Sequence, residues 1–584
     1  MRLVIREYLS MLKESGGIDA LLPDLLLAMG FDILSRPRKG SRQYGVDLAA
    51  VGIDHDTQDH QRKLFLFTIK RGDISRNDWN TGKNTVRPSL EDIQDSYLRT
   101  RVRVEHKNLP KKIILVTGGE LKEDVYPDWV NYTHRYSGNY TEYGNVEFDF
   151  WGGDKLALLI QDFLFNEYIF NESAKGHLRK TIALADQNED EPYFFYRLIE
   201  ETISNPNLPK DNKKDSKQKR QQTLNVLNLS LNIVFYWCQA ANNLRPAILC
   251  AEHTVIRVWD WIRLSNLFKC KVTREGLLKI LSTYINIGNT YINKLQPHCL
   301  VKDGLFGYGA DQVEYPLRTF EVIGMFGLIG VVHNYYYQLY KDEENRKKHL
   351  QQAEAIAERL IEIIENNPSS KTPRYDEHII DITLGLLLLN YVGFKQQASE
   401  WIIGINNRII FAYKFLGKHF PIYSDSYDQL VAMQFDQALP KEELMQLSTM
   451  LPILLDWYAI LNLADKYKYF QQEIKRVFTS TDLQIWFPDE TTDNYLYNSN
   501  AGYKSGFSVT SINLPDDLEQ YKSMIIRLRE QHQNVKQTIS CLNYRFPILA
   551  LISSRHFRTP IIPAYWQDYV IVSQSPEQTN NANE

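Results

Sequence analysis

Cysteine is scarce in this chain, and its placement gives no sign of a cross-linked or zinc-bearing fold. The 5 cysteines among 584 residues are Cys238, Cys250, Cys270, Cys299 and Cys541, with no two in a CxxC pair. An odd, scattered set argues for a reducing compartment and against a disulfide framework or a structural zinc site. His298-Cys299 is an isolated pair and not a ligand set. There is no phosphate loop of the form GxxxxGK(S/T), no HExxH and no GxSxG. Nucleotide hydrolysis of the P-loop type, zinc proteolysis and serine-elbow hydrolysis are therefore set aside.

Charge of one sign is also missing, since 67 Lys and Arg stand against 71 Asp and Glu for a net −4. Such a chain does not coat nucleic acid by bulk attraction, so any contact must come from a local basic patch. The N-terminus carries Arg2, Arg6 and Glu7 in an amphipathic stretch where a signal peptide needs an apolar run. The most apolar stretch, Ile382–Phe394, is shorter than the roughly 20 residues of a spanning helix and reads as a buried core helix. These absences predict a cytoplasmic protein with no membrane partner.

What is present is ordinary globular material: 43% hydrophobic and 24% charged residues, with 35 Tyr, 26 Phe and 10 Trp to build cores. The length calls for at least two domains. Leucines at helical spacing over Ile18–Met29 stop at Gly30, which predicts a helix. Phe31–Ser35, Gly45–Val51 and Lys63–Lys70 are short apolar runs between polar segments and read as three strands in a meander. SLEDIQDSYLR at Ser89–Arg99 opens with a Ser and has acids in its first turn, the pattern of a helix start. KKIILVTGG reads as a buried strand, and VEFDFWGGDKLALLIQDFL as a strand, a Gly-Gly turn and a helix.

The order predicts an α/β domain with a mixed central sheet flanked by helices over residues 1–171. Residues 172–222 read as a helical connector and charged linker, because Asn205–Gln222 has no apolar run and is crowded with Lys, Asp, Asn and Gln. From 223 to 573 the apolar spacing is that of helices, as in AEAIAERLIEIIENN, with no fixed repeat. Residues 574–584 are polar and read as a disordered tail.

Chemistry concentrates in the first domain. Asp47 lies in YGVDLAAVG, and the next strand ends FTIKRG with Thr68 and Lys70 two residues apart. Alternate residues of a strand face the same side, so positions 68 and 70 point together into one site beside the first aspartate. Asp19 stands on the first helix ahead of Gly30-Phe31, and the chain continues through ILVTGG and FDFWGGDKLALLI. In order and spacing, these motifs from Ile18 to Phe165 resemble the PD-(D/E)xK restriction-endonuclease-like domains, most closely their Mrr-like branch. The rest of the chain carries no such resemblance. One position departs from the family: Thr68 stands where the family has Glu, Asp or Gln, and a hydroxyl is a weaker ligand than a carboxylate for a hard divalent cation.

The resemblance implies a metal-dependent endonuclease acting on DNA. Mg²⁺ or Mn²⁺ would rest on Asp47, the backbone carbonyl of Ile69, Asp19, water and the substrate phosphate, with Lys70 stabilising the transition state or positioning the nucleophile. It also implies a setting in prokaryotic defence against foreign DNA, with partner proteins of a defence operon. Two alternatives stay open: a catalytically degenerate nuclease fold that binds nucleic acid or scaffolds a complex, and a repair or recombination nuclease. The loop SRPRKGSRQYG offers Arg36, Arg38, Lys39 and Arg42 beside Tyr44 for phosphate contacts just before Asp47. Arg71, Arg76, Trp79 and Arg87 follow Lys70 as further candidates. The helical region shows no chemical motif and reads as a sensing, restraining or homo-oligomerising part.

Overall fold

The computed structural model describes the chain except for residues 13–16, 37–42, 58–59, 81–84, 141–142, 167–168, 188–190, 206–207, 209–213, 309–311, 417–418, 435–440, 499–504, 532–537 and 573–584. Arg38, Lys39, Arg42 and the tail at 574–584 lie outside the described residues. The chain divides into two compact units: Met1–Cys250 with Leu267–Lys279, and Ala251–Asn266 with Ile280–Glu584.

The first unit opens with helices α1 (Arg2–Met11) and α2 (Asp19–Ala28). Three strands follow: β1 (Asp32–Ser35), β2 (Leu48–Ile53) and β3 (Arg62–Lys70). Helices α3 (Arg76–Asn80) and α4 (Val86–Asp92) lead to β4 (Lys111–Thr117). Helix α5 (Tyr126–Tyr136), β5 (Gly138–Tyr140), β6 (Gly144–Trp151) and α6 (Gly153–Leu159) complete the layer. The sheet runs β1-β2-β3-β4-β6-β5. Its β3–β4 and β4–β6 pairs are parallel and the others antiparallel. A mixed sheet followed by helices is the architecture the periodicity called for. Helix α5 and strand β5 were not foreseen.

The central strands are apolar without alternation because both sheet faces are covered; every residue of β4 is buried. On one face Ala49, Val51, Leu64, Leu66, Ile113 and Leu115 pack with Trp79, Val86, Leu90, Ile93, Trp129 and Tyr132. Trp79 meets Trp129 edge-on, with ring centroids 6.3 Å apart. On the other face Phe65 meets Phe31 at 4.7 Å and Phe67 meets Trp151 at 5.4 Å. Two glycine steps close the layer, since a Cβ on Gly153 would lie 2.5 Å from the Gly118 carbonyl. The Gly153 N–H donates to the Gly119 carbonyl at 2.8 Å.

The unit continues beyond residue 171 with α7 (Glu172–Ala183), α8 (Tyr193–Ile203) and α9 (Lys214–Ala240). The stretch read as a charged linker therefore carries the start of α9. Lys217 and Lys219 are exposed in its first turns, while Arg220 and later residues such as Leu224, Val226, Leu227 and Leu231 are buried. Helix α10 (Arg245–Leu264) and helix α11 (Lys271–Cys299) each begin in the first unit and end in the second.

The second unit is helical. Ile379–Tyr391 is buried from Ile379 to Leu389, so the most apolar stretch of the sequence is a core helix. A second helix, Glu314–Leu339, has the length and composition to cross a membrane, yet 78% of its apolar window is buried inside the protein. Within this unit Arg555 donates to Glu252 at 2.6 Å, and Arg558 reaches both Glu377 and Asp381.

Candidate active site

The hairpin β2–β3 sets the site. Leu48 pairs with Phe67, and the residue before it, Asp47, donates its N–H to the Phe67 carbonyl at 2.9 Å. The Asp47 carboxylate then reaches across the hairpin, where Oδ2 accepts the Ile69 N–H at 2.7 Å. The acid thus lies opposite the stretch Phe67–Ile69 that contains Thr68. This brings Asp47 and the 68–70 positions together as the spacing required. Asp47 and Lys70 are half-buried, and Thr68 is fully buried.

Thr68 Oγ1 is buried without a hydrogen-bond partner. A hydroxyl left in that state costs about 1–3 kcal/mol, so it calls for an explanation. Lys70, two residues on and on the same face, donates from Nζ to Ser89 Oγ at 3.0 Å. Ser89 in turn donates to the Thr85 carbonyl at 2.9 Å. The covering helix therefore starts at Val86, one turn earlier than its sequence suggested, and Ser89 is a mid-helix residue that holds the lysine rather than a cap. Gly45 explains how Ser89 comes so near: its φ is +76°, and a Cβ there would lie 2.0 Å from the Ser89 carbonyl. A glycine three residues before a strand is a weak signal, and Ser89 was not legible as a site residue.

Asp19 is the first residue of α2. It lines a cavity of about 820 Å³ together with Asp24, Arg36, Asn225, Lys271 and Lys279, and none of Asp47, Thr68 or Lys70 contributes to that wall. Asp24 in the same wall is ion-paired to Lys279. Burial raises its carboxyl above the usual range against the pull of that lysine.

Of the proposed DNA contacts, Arg36, Arg71 and Arg76 are exposed. Trp79 is a core residue, 2% exposed, and so is corrected from contact to packing. Arg87 is engaged by Glu91 at 2.9 Å, one helical turn away.

The opposite end of the same hairpin bears a second cluster. Lys63 contacts Asp54 at 3.0 Å and Glu147 at 2.7 Å. Lys112 contacts Asp54 at 3.1 Å and Asp149 at 3.2 Å. Burial works to raise the Asp54 carboxyl, but bonds from Lys63, the Asp56 N–H and Lys112 hold it below the usual range. Burial likewise opposes the charge on Lys63 and Lys112, and their acidic partners keep both ammonium groups above the usual lysine range.

Comparison of the chain with protein-family models, curated proteins and solved structures finds no match.

Proposed function

We propose that the first unit is a Mg²⁺- or Mn²⁺-dependent endonuclease that hydrolyses phosphodiester bonds in DNA. One observation carries this reading: an aspartate and a lysine from adjacent strands flank a buried threonine hydroxyl that has no bonding partner. A cation with its water shell is the kind of group that would satisfy such an oxygen. Oxygen donors suit Mg²⁺, which commonly takes one or two carboxylates and draws the remaining ligands from water and substrate phosphate. The set present, Asp47 with Thr68 beside it, fits a cation completed by its substrate. When bound, the cation supplies an activated water and offsets charge on the phosphate.

The chain's own residues divide the remaining work. Asp47 holds the cation through its carboxylate while the Ile69 N–H fixes its orientation. Ile69 pairs with Val116 on β4, so this donor is set by the sheet itself. Lys70 offers a cation to the phosphate oxygens, and its bond to Ser89 keeps the amine in place. Asp19, in the wall of the neighbouring cavity, is left outside this scheme.

A second reading is a nucleic-acid-binding platform that does not cut. It is favoured by the sparse acid content: among the described residues no three His, Cys, Asp or Glu side chains are grouped to hold a metal. Plasmid cleavage separates the two. With Mg²⁺ or Mn²⁺ the native chain should nick or linearise DNA, EDTA should stop it, and Asp47→Asn should lower the rate at least about a hundredfold, the scale of loss when transition-state charge stabilisation is removed. Cleavage that persists in EDTA or in Asp47→Asn would overturn the hydrolytic reading. Binding without cleavage at any metal concentration would establish the platform. The setting in prokaryotic defence, and a sensing, restraining or oligomerising role for the helical unit, rest on the resemblance and on economy.

A further inference from the structure

The cations expected from the sequence lie at 36–42 and 71–76, but a second group follows the covering helix. Arg99, Arg101, Arg103 and Lys107 are exposed within nine residues. The acids near them are few. Glu105 lies 3.6 Å from Arg103 and 3.4 Å from His106, and Asp95 is exposed one turn before Arg99.

Arg101 is held in place. Its guanidinium lies 5.0 Å from the centre of the Tyr44 ring, and Nη2 donates to the Tyr44 hydroxyl at 3.5 Å. Tyr44 has φ +52° and precedes the glycine that backs onto Ser89. Ser89 bonds Lys70. A continuous set of contacts therefore runs from Arg101 through Tyr44, Gly45 and Ser89 to the candidate site. On the other side Tyr97 lies within electrostatic reach of Arg101 and Arg103.

We propose that Arg101 and Arg103 form a track that grips the phosphate backbone of DNA and leads it to Lys70, with Tyr44 as the residue that positions Arg101. The proposal rests on the nucleic-acid reading of the site but not on hydrolysis. Two guanidinium groups beside Tyr44 and Tyr97 suit phosphodiesters because the planar fork binds two phosphate oxygens at once. A guanidinium stacked on a ring also loses less freedom on binding than one extended into solvent. The track carries no device for reading bases, so it is sequence-independent.

The test is binding of a labelled DNA duplex of arbitrary sequence to the full chain in EDTA, across a salt series. The double variant Arg101→Ala with Arg103→Ala should reduce the slope of log affinity against log salt by about 2 and weaken low-salt binding roughly tenfold or more. Tyr44→Leu should lose part of that affinity and Tyr44→Phe should restore it, because a phenyl ring still supports the guanidinium. Circular dichroism and the thermal midpoint of each variant show that the fold is kept. Unchanged slope and affinity in the double variant would overturn the track, and so would a native chain that binds no duplex. Displacement of the duplex by polyglutamate as effectively as by unlabelled DNA would also overturn it, as the mark of an acidic-peptide surface. A native chain that binds through Arg101 and Arg103 yet never cleaves with metal leaves the track standing and removes only the hydrolytic reading.

Discussion

The β2–β3 hairpin carries an aspartate and a lysine at each end, and the fold treats the two ends in opposite ways. Asp54 and Lys63 are each 2% exposed and bonded to one another at 3.0 Å, with Lys112, Glu147 and Asp149 completing a closed set of opposite charges. Asp47 and Lys70 are half-buried, and their described bonds go to a backbone N–H and a serine hydroxyl. The difference follows from the cost of burying charge. A deeply buried carboxylate needs cations or a full set of hydrogen-bond donors around it, and where cations match it, removing one partner strands the other. Groups at a half-buried edge stay within reach of a ligand. Identical residue types at the two ends of one hairpin thus sit in a buried charge cluster at one end and at a half-buried edge at the other.

The largest expected break in this contrast is Asp54→Ala, which leaves Lys63 and Lys112 buried without their shared acid. It should cost about 3–5 kcal/mol in urea denaturation. Asp47→Asn keeps an oxygen for the Ile69 N–H and should cost less than about 1 kcal/mol. Equal losses at the two ends would erase the distinction.

The same asymmetry should appear in the pH dependence. The Asp54 carboxyl is held low, so its contribution is full above the ordinary carboxylate value of about 3.9 and is lost as pH falls through the depressed value. Lys63 and Lys112 are held high, so theirs is full below about 10.4 and is lost as pH rises through the raised values. Thermal midpoints across pH should therefore fall off at both extremes, and Asp54→Asn should flatten the acid limb. An acid limb unchanged in Asp54→Asn would assign it to other carboxylates.

A smaller effect is expected for Ser89→Ala, which removes the Ser89 bond from the Lys70 amine. Cleavage should drop roughly tenfold, about 1.4 kcal/mol in barrier height, while the urea midpoint barely moves. A loss of stability without loss of rate would make Ser89 a packing residue. The smallest effect is Thr68→Val. Removing a buried hydroxyl that lacks a partner should leave stability unchanged or raise it by about 1 kcal/mol, while the metal needed for half-maximal cleavage rises. Destabilisation by that substitution would mean that the hydroxyl is bonded in solution.

Much of the sheet was legible because β3 and β4 are nearly unbroken apolar runs, and covered strands have no need of polar alternation. Helix α5 escaped notice because YPDWVNYTHRY buries little beyond Trp129 and Tyr132 and shows no aliphatic stripe. Ser89 was taken for a helix start because serine favours that position, while the helix begins one turn earlier at Val86. Trp79 resembled a contact residue beside two arginines, yet it lies in the aromatic core with Trp129 and Tyr132.

By itself, the sequence determined the alternation of strand and helix, the change to a helical second half, and the neighbouring placement of Asp47, Thr68 and Lys70. Each of these depends on local spacing: the period of a strand, the period of a helix and the length of one hairpin. Only the tertiary structure decided which charges are buried and which stay half-exposed. Lys63 is matched by Glu147, 84 residues away, and Arg101 is seated on Tyr44 across 57 residues. The cavity that Asp19 lines likewise takes its far wall from α9 and α11. Burial and charge matching are properties of distant segments brought together, and no local pattern encodes the cost of removing water from a charge before its partner is in place.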